Sequence, residues 1–397
     1  VRPELVEGDS VHGSTGSPRT ECAKVRHADL WGQRKGKYAW LSENELSGTG
    51  WTIVKPQGPH YLFVPQDIGL LKEYEQGWLV TEINPVNSIG ISTSRDNLTI
   101  RWTMNEMMET VEEFQSLSAD TARNRFDLGD DTQDWKVHLA QKDIKEDGPD
   151  SSKLQRIFYR PFDIRYTYYT GRSRGFHSRP RPEVMNHMTG GKNLALCSNR
   201  QVNSDFRHVF VSNAISDGNA VSLATRERTY VFPLYLYPQT EIEKRTGASR
   251  SPNLAPAFIK EFAERLGMEF INDGKGDRTK SFGPEDIFDY MYAVFHSPNY
   301  RSRYAEFLKI DFPRLPLTSN AELFRNLCRI GGELVALHLM ESVETPRRGV
   351  STTYPIAGDN TVENVRYTEP SQWDRLPACE DRQDACPTKE PGGRVWI

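Results

Sequence analysis

The segment Arg156–Arg181 has the residue types in this chain best suited to binding chemistry. Its sequence, RIFYRPFDIRYTYYTGRSRGFHSRPR, holds seven arginines and seven aromatic rings against one acid, Asp163. A guanidinium group is planar, so it can bind phosphate oxygens or a guanine edge through two parallel hydrogen bonds and can stack on rings. The composition therefore suits nucleic acid. A half-buried sheet whose arginines pair with the preceding acidic segment fits the composition equally well.

Charge is distributed unevenly along the chain although the total is close to neutral. The formal net charge is −4, from 50 basic and 54 acidic residues. Residues 104–150 carry thirteen acidic and five basic side chains, whereas residues 156–200 carry nine basic and two acidic ones. The total makes no case for a polyanionic partner, so the local basic segment has to be considered by itself.

A second polar group follows at Asn199, Arg200, Gln201 and Asn203. These side-chain types can hydrogen-bond the edges of guanine and adenine. Such tetrads are also common in turns, so the pattern alone carries little weight.

The sequence lacks the motifs of several common enzyme classes. It contains no GxxxxGK[ST] phosphate loop, no HExxH zinc motif and no GxSxG nucleophile turn. It also lacks a GxGxxG that opens a helix, because the glycines of 48–50 and 274–276 stand in turn-like contexts. We therefore predict no catalytic residue, no bound cofactor and no metal ion in this chain.

Residue types that bind metals are present but dispersed. The five cysteines lack paired spacing, which predicts free thiols in a reduced cytoplasm, and no histidine flanks the one close pair, Cys379 and Cys386. Asp130, Asp131 and Asp134 fit a solvated acidic face better than a metal site. No stretch approaches the roughly 18 apolar residues of a membrane span, so we expect a cytoplasmic protein without membrane contact.

Strand and helix signals predict an α+β fold in which a mixed, strand-rich region precedes a helical one. The capping pattern of Thr103 with Glu106 predicts a helix over 104–116, and Ser118 is placed to cap a second helix ending by Phe126. Short apolar runs bounded by Gly, Pro and Asn predict strands at 51–54, 61–64, 78–83 and 98–102 and through most of 156–238.

Helical periodicity dominates after Tyr237. Asn253 is predicted to cap a helix that stops at Gly267, and Pro284 to begin one that ends before Pro298, with a shorter helix over 300–308.

The final helix has the clearest pattern. Ser319 with Glu322 forms a capping pattern, and His338 near its end is expected to make a structural hydrogen bond. A core-facing stripe is predicted at Leu323, Leu327, Ile330, Leu334 and Leu337.

The predicted organisation has four parts. Residues 1–26 look like a disordered, non-native tail that begins without Met, and 27–126 form the strand-rich segment ending in helices. Residues 127–344 form the predicted recognition domain, and 345–397 look like a disordered or surface tail that is truncated. No internal repeat is found.

Several long motifs resemble one family, the C-terminal specificity region of type ISP restriction-modification enzymes. The motifs occur in the family's order and cover most of residues 27–367: LWGQRKGKYAWL (30–41), DWKVHLAQKD (134–143), YRPFDIRYTYYTG (159–171), RPRPEVMNHM (179–188), GPEDIFDYMYAVFHSPNYRSRYAEFLKIDFPRLPL (283–317) and LVALHLMES (334–342). In that family one polypeptide combines nuclease, helicase-like ATPase, adenine-N6 methyltransferase and target-recognition parts.

The resemblance implies a recognition module for double-stranded DNA whose chemistry lies elsewhere. S-adenosylmethionine, ATP and Mg²⁺ are expected for the full-length family, but its glycine-rich cofactor motif and Asn-Pro-Pro-Tyr motif are missing, and the nearest string, 84–87, reads NPVN. The upstream methyltransferase and helicase polypeptide is a further expected partner. The resemblance and the charge map together predict a DNA-facing set: Arg160, Arg165, Arg172, Arg174, Arg179, Arg181, Arg200 and Gln201.

Two alternatives stay open at this stage. Arg160 and Arg165, within the YRPFDIRY motif, can instead be structural, for example by pairing with Asp163. The whole chain can also be a remnant that docks on a separate methyltransferase subunit without binding DNA, since arginine and aromatic residues are common in protein interfaces.

Overall fold

The fold mixes helices with short strands, which confirms the predicted α+β class. A computed structural model describes residues 24–56, 61, 63–65, 67–190, 192–224, 227–239, 245, 247, 249–341, 366–368 and 394–396. The chain divides into two compact units, residues 1–72 and residues 73–397. Most of the two predicted tails lies outside the described residues, as do Cys22, Cys379 and Cys386.

The described residues of the first unit contain one strand pair and short helices. Strand β1 (Val25–His27) pairs antiparallel with β2 (Thr52–Val54), and helix α1 (Arg34–Glu43) comes between them in sequence. Helix α1 has no buried residue, and Trp31 just before it is 84% exposed.

The remaining helices are mostly short. They are α2 (Ile68–Glu75), α3 (Val80–Ile83), α4 (Asp96–Thr99), α5 (Met104–Ser116), α6 (Ala119–Arg125), α7 (Val137–Asp147), α8 (Pro182–Met185), α9 (Pro256–Leu266), α10 (Pro284–His296), α11 (Pro298–Arg303), α12 (Ala305–Leu308) and α13 (Ala321–His338). Within the described ranges, no helix is both long and apolar enough to cross a lipid bilayer.

The remaining strands form small sheets. They are β3 (Trp78–Leu79), β4 (Ser88–Ile89), β5 (Leu154–Arg160), β6 (Asp163–Tyr168), β7 (Ala195–Asn199), β8 (Val209–Ser212), β9 (Ile215–Ser216), β10 (Thr229–Pro233), β11 (Tyr235–Leu236), β12 (Ser251–Pro252), β13 (Glu269–Phe270), β14 (Ser281–Phe282), β15 (Arg314–Leu315), β16 (Arg366–Thr368) and β17 (Arg394–Trp396). The largest sheet has the antiparallel order β4-β10-β7-β8.

A second sheet, of order β6-β5-β9, carries the arginine-rich segment. Strands β5 and β6 form an antiparallel hairpin, whereas β9 pairs with β5 in parallel through Ile157 and Ile215. One face of this sheet packs with Val184 of α8 and Cys197 of β7 in a buried apolar cluster. The other side of the sheet contacts a second buried apolar cluster, which is formed with α5, α6 and α7 and includes Trp135. The hairpin therefore lies between two cores.

Most helix signals are confirmed. Thr103 Oγ1 accepts a hydrogen bond from the Glu106 backbone N–H at 3.1 Å, and α5 begins and ends where predicted. Ser118 caps α6, which ends before Phe126. Gly267 ends α9 with φ +65, a conformation glycine adopts without strain.

Several strand predictions before residue 103 are wrong. Residues 61–64 contain no strand among the positions described there, and the run 78–83 is a two-residue strand followed by α3. Leu98 lies in helix α4 rather than in a strand. Apolar runs this short do not distinguish a strand from a buried helical turn. Their secondary structure depends on the segments that pack against them in the fold.

Two predicted helix caps are also corrected. Helix α9 begins at Pro256, and the side chain of Asn253 instead binds backbone groups, including the Val86 N–H at 3.0 Å. The cap of α13 is Asn320, whose Oδ1 accepts from two backbone N–H groups of the first turn, and not Ser319. The predicted helix over 300–308 is split into α11 and α12 at Tyr304.

The predicted core-facing stripe of α13 is displaced by about one residue from the positions that are buried. The buried positions are Phe324, Cys328, Gly331 and Val335. A Cβ on Gly331 would lie 1.8 Å from the Asp289 carbonyl oxygen, so α13 contacts α10 backbone to backbone at this glycine. The predicted stripe is left largely accessible, with exposures of 46% at Leu323, 46% at Ile330 and 41% at Leu337.

His338 makes the predicted structural contact. Its Nδ1 hydrogen-bonds the Tyr292 hydroxyl, and its ring packs against Phe210 with centroids 5.7 Å apart.

Candidate nucleic-acid interface

The β5–β6 hairpin carries the first two predicted DNA-facing arginines, and both are held in ion pairs. Arg160 Nη1 lies 3.0 Å from Asp217 Oδ1. Arg165 donates from Nε and Nη2 to the Asp163 carboxylate at 2.9–3.0 Å and lies over the Trp102 ring, 3.8 Å from its centroid. Both arginine side chains are only 23% exposed. Both guanidinium groups are therefore partly engaged within the fold and have limited exposure to a ligand.

The loop between β6 and α8 is anchored at its middle by buried groups. Asp143 of α7 is 4% exposed and accepts a hydrogen bond from the Phe176 backbone N–H at 2.7 Å. A Cβ on Gly175 would lie 2.1 Å from Asp143 Oδ2, so the close approach requires glycine. Trp135 Nε1 donates to the Phe176 carbonyl oxygen at 3.2 Å. These contacts fix the loop while exposed residues on either side of its anchor reach solvent.

His177 lies fully buried beneath the same loop. Its Nε2 is 2.8 Å from Thr167 Oγ1, and its Nδ1 has no hydrogen-bond partner in the described part of the chain. Burial lowers the pKa of His177 to about 4, so the ring is neutral at physiological pH and adds no charge to the loop.

Two adjoining clefts open beside this loop. Their volumes are about 550 Å³ and about 320 Å³, and they share Asp134, Ser178, Arg179 and Arg181 on their walls. Together we call them the arginine cleft, after the four arginines that line it: Arg174, Arg179, Arg181 and Arg228. Pairing between the backbones of Ser92 and Arg179 joins the loop to the chain after β4.

Three other predicted arginines form ion pairs but stay accessible. Arg179 Nη2 lies 3.3 Å from Asp134, and each side chain is 53% exposed. Arg200 Nε lies 2.9 Å from Asp311 and is 56% exposed, while Arg172 is 40% exposed beside carboxylates of α7. Exposed ion pairs contribute only about 0–1 kcal/mol, so a phosphate can replace the carboxylate at modest cost for Arg179 and Arg200. Arg172, in contrast, pairs with the buried Asp143.

Arg174 and Arg181 have no ion pair or guanidinium hydrogen bond within the part of the chain that is described. Both have left-handed backbones, with φ 59 and φ 56. Arg174 is exposed, whereas Arg181 is half-buried and its Nε is enclosed without a partner. Arg200 and Gln201 are exposed on another part of the surface and do not line the arginine cleft.

Carboxylates also face the larger part of the cleft. Asp217 is 3% exposed, and burial raises its pKa despite the nearby Arg160 guanidinium. The Tyr159 hydroxyl donates to Asp96 Oδ2 at 2.8 Å, and burial together with this carboxylate raises the pKa of Tyr159 to about 12. The cleft thus offers hydrogen-bond acceptors as well as cationic donors, and its charge is mixed.

Sequence reasoning missed Arg228 and Asn219 on the cleft wall. Arg228 Nη2 donates to Ser92 Oγ at 3.1 Å. Both residues lie between β9 and β10, outside the arginine-rich segment, and reach the cleft because β9 pairs with β5. No local sequence pattern signals such a pairing between distant segments.

Two segments considered for a methyl-donor or adenine site make hydrogen bonds within the protein. Asn84 is 2% exposed, and its side-chain amide donates to the Asn253 carbonyl oxygen at 2.8 Å. The Gly274 N–H donates to the Tyr235 hydroxyl and the Gly276 N–H to the Asp286 carboxylate, so this glycine segment binds its own protein. Across the described ranges, no group of three or more His, Cys, Asp or Glu is arranged to hold a metal ion.

Comparison with protein families gives one match that covers most of the chain. Residues 82–389 match the model of the type ISP C-terminal specificity domain. No curated protein matches the chain significantly.

Solved structures give matches at low sequence identity. One is a cryo-EM structure of a DrdV–DNA complex, at 21% identity and TM-score 0.53, covering 77% of this chain and 29% of that one. Another is a nuclease-deletion mutant of the type ISP restriction-modification enzyme LlaGI in complex with a DNA substrate mimic, at 20% identity and TM-score 0.53, covering 80% of this chain and 28% of that one. The chain therefore spans less than a third of either protein, and identities this low establish similarity of fold alone.

Proposed function

The chain belongs to the family of type ISP C-terminal specificity domains, and from this we propose that it recognises a target sequence in double-stranded DNA. The observation that carries the proposal is the family match itself, because residues 82–389 include every residue of the arginine cleft. Both solved proteins of similar fold were determined with DNA or a DNA mimic.

The arginine cleft has the chemistry needed for two kinds of contact. Arg174 has an exposed guanidinium with no partner among the described residues, and Arg179 can exchange Asp134 for a phosphate, so both suit the DNA backbone. Donors and acceptors deeper in the cleft suit base edges, which present both. Contacts of the first kind position the duplex, and contacts of the second kind specify its sequence.

The other predicted DNA-facing residues receive more specific roles in this proposal. Arg172, Arg200 and Gln201 are accessible and extend the contact with the backbone beyond the cleft. Arg160 and Arg165 support the hairpin through Asp217 and Asp163, which is the structural role that the sequence left open for them.

In this proposal the recognised site is methylated at adenine N6 and cleaved by parts of the system outside the described residues. S-adenosylmethionine, ATP and Mg²⁺ would act there, since Asn84 and the glycine segment near Gly276 are engaged in structural hydrogen bonds. The polypeptide that carries the methyltransferase and helicase is the proposed protein partner.

Salt dependence of DNA binding tests the proposal. If Arg172, Arg174, Arg179 and Arg200 each neutralise one phosphate, log K should fall against log salt with a slope of about −3.6. Affinity for a random duplex of about 30 base pairs should then fall about 150-fold between about 50 and 200 mM salt. Fluorescence anisotropy of a labelled duplex measures the affinity at each salt concentration. A slope near zero, or no binding at the lowest salt, would contradict the proposal.

A docking role without DNA contact is the second candidate, and one observation favours it. Leu323, Ile330 and Leu337 form an exposed apolar stripe on α13, and such surfaces often contact another protein. The same salt titration separates the candidates, because the docking role alone predicts no affinity for the duplex.

A further inference from the structure

Arg181 differs from the other arginines of the cleft in a way that fits a base edge better than a phosphate. We propose that Arg181 reads a guanine in the major groove, donating to its O6 and N7 atoms from one guanidinium group. The inference rests on the proposed function and assigns a specificity-determining residue to it.

The backbone at Arg181 is held in one conformation by its neighbours. Arg181 lies between Pro180 and Pro182 and has φ 56 and ψ 55, in the left-handed region that costs about 1–2 kcal/mol for a residue with a Cβ. Its carbonyl oxygen accepts hydrogen bonds from the Val184 and Met185 N–H groups at 3.1 and 2.9 Å. Both of those residues are buried in the core, so the origin of the Arg181 side chain is fixed relative to the sheet.

The guanidinium of Arg181 has unused hydrogen-bonding capacity inside the cleft. Its Nε is enclosed by protein and has no partner among the described residues, whereas Nη1 and Nη2 are not enclosed and make no hydrogen bond there. Two acceptors side by side, as O6 and N7 of guanine are, match the two terminal nitrogens of this planar group. A guanine edge would therefore engage the free donors of Arg181.

The charge around Arg181 disfavours a phosphate at this position. Asp96 and Asp217 line the larger part of the cleft together with Arg181, whereas Arg174 lines only the smaller part. Asp96 and Asp217 would repel a phosphate, whereas the edge of a base pair carries no net charge. The cytosine that pairs with the guanine also presents an amino group, from which a carboxylate can accept a hydrogen bond.

The other arginines of the cleft lack this combination. Arg174 shares the left-handed backbone but is exposed. Arg179 is paired with Asp134, and Arg228 donates to Ser92. Arg174 is therefore the matched control, because Arg174→Ala and Arg181→Ala each remove one guanidinium from a left-handed position and keep the Cβ.

Selection from a duplex library with a randomised core tests the inference on the full chain. Wild-type protein and the variants Arg181→Ala, Arg181→Lys and Arg174→Ala are each incubated with the library, and bound duplexes are sequenced. We expect Arg181→Ala to reduce the enrichment of guanine at one position of the selected duplexes by about 10- to 100-fold. The base preferences at the other positions should not change. Arg181→Lys should not restore that preference fully, because lysine lacks the planar fork. Arg174→Ala should weaken binding to all duplex sequences alike.

The other outcomes separate the inference from the proposed function. An unchanged motif with weaker binding by Arg181→Ala would overturn the base-reading role and leave DNA recognition standing. A wild-type chain that binds DNA but enriches no motif, or binds no DNA, would overturn both. Thermal melting of each variant checks that it is folded. If Arg181→Ala is unstable, Arg181→Lys, which keeps the charge, replaces it in the selection experiment.

Discussion

Replacing Arg174, Arg179 and Arg181 together by alanine should weaken duplex binding by about 100-fold or more. Each removed group is a cationic donor on the wall of the arginine cleft, and charge-assisted hydrogen bonds contribute about 1.5–3 kcal/mol each. The fold should persist, because Arg174 and Arg181 make no ion pair in the described structure and Arg179 pairs only with an exposed Asp134. Anisotropy titration with a fixed duplex measures the effect.

A triple variant that removes the same charge elsewhere is the matched control. Lys260, Arg325 and Arg329 are exposed on α9 and α13, outside the arginine cleft. Their replacement by alanine should change affinity by less than about 3-fold at physiological salt, where charges beyond about 8 Å are screened. Equal losses in the two triple variants would mean that net charge, and not the cleft, governs binding.

Gly331→Ala should strongly destabilise the helical part of the second unit. The added Cβ would lie 1.8 Å from the Asp289 carbonyl oxygen, so α10 and α13 must move apart or bend. Overpacking of this kind costs about 1–3 kcal/mol and more when backbone must move. At about 2–4 °C per kcal/mol, the melting temperature should fall by about 8 °C. Circular dichroism melting curves measure it.

Asn326→Ala is the control for this prediction. Asn326 is exposed on the same helix, so its replacement should change stability by less than about 0.5 kcal/mol. A melting temperature for Gly331→Ala equal to that of Asn326→Ala would contradict the close contact between α10 and α13.

The arginine-rich segment illustrates what sequence can and cannot establish about a site. Composition identified Arg156–Arg181 as the segment of interest, and three of the cleft arginines lie in it. Composition could not separate Arg165, which pairs with Asp163, from Arg181, whose Nε is unpaired, because the difference depends on where each side chain is directed. Arg228 was missed because it reaches the cleft only through the pairing of β9 with β5.

Local signals succeeded for elements whose determinants are close in sequence. The reciprocal hydrogen bonds of Thr103 and Glu106 fix the start of α5, and both residues lie within one helical turn. The stripe on α13 failed because periodic leucines identify an apolar face but not the face that packs. There Gly331 permits a backbone contact, and Phe324, Cys328 and Val335 on the same face are buried instead.

Protection of individual arginines by DNA tests the central claim most directly. The chain is treated with phenylglyoxal, which modifies accessible guanidinium groups, with and without a saturating duplex, and each site is quantified by mass spectrometry. The claim predicts that the duplex protects Arg174, Arg179 and Arg181 while Arg325 and Arg329 react equally in both samples. Unchanged modification at the three cleft arginines in the presence of bound duplex would contradict it.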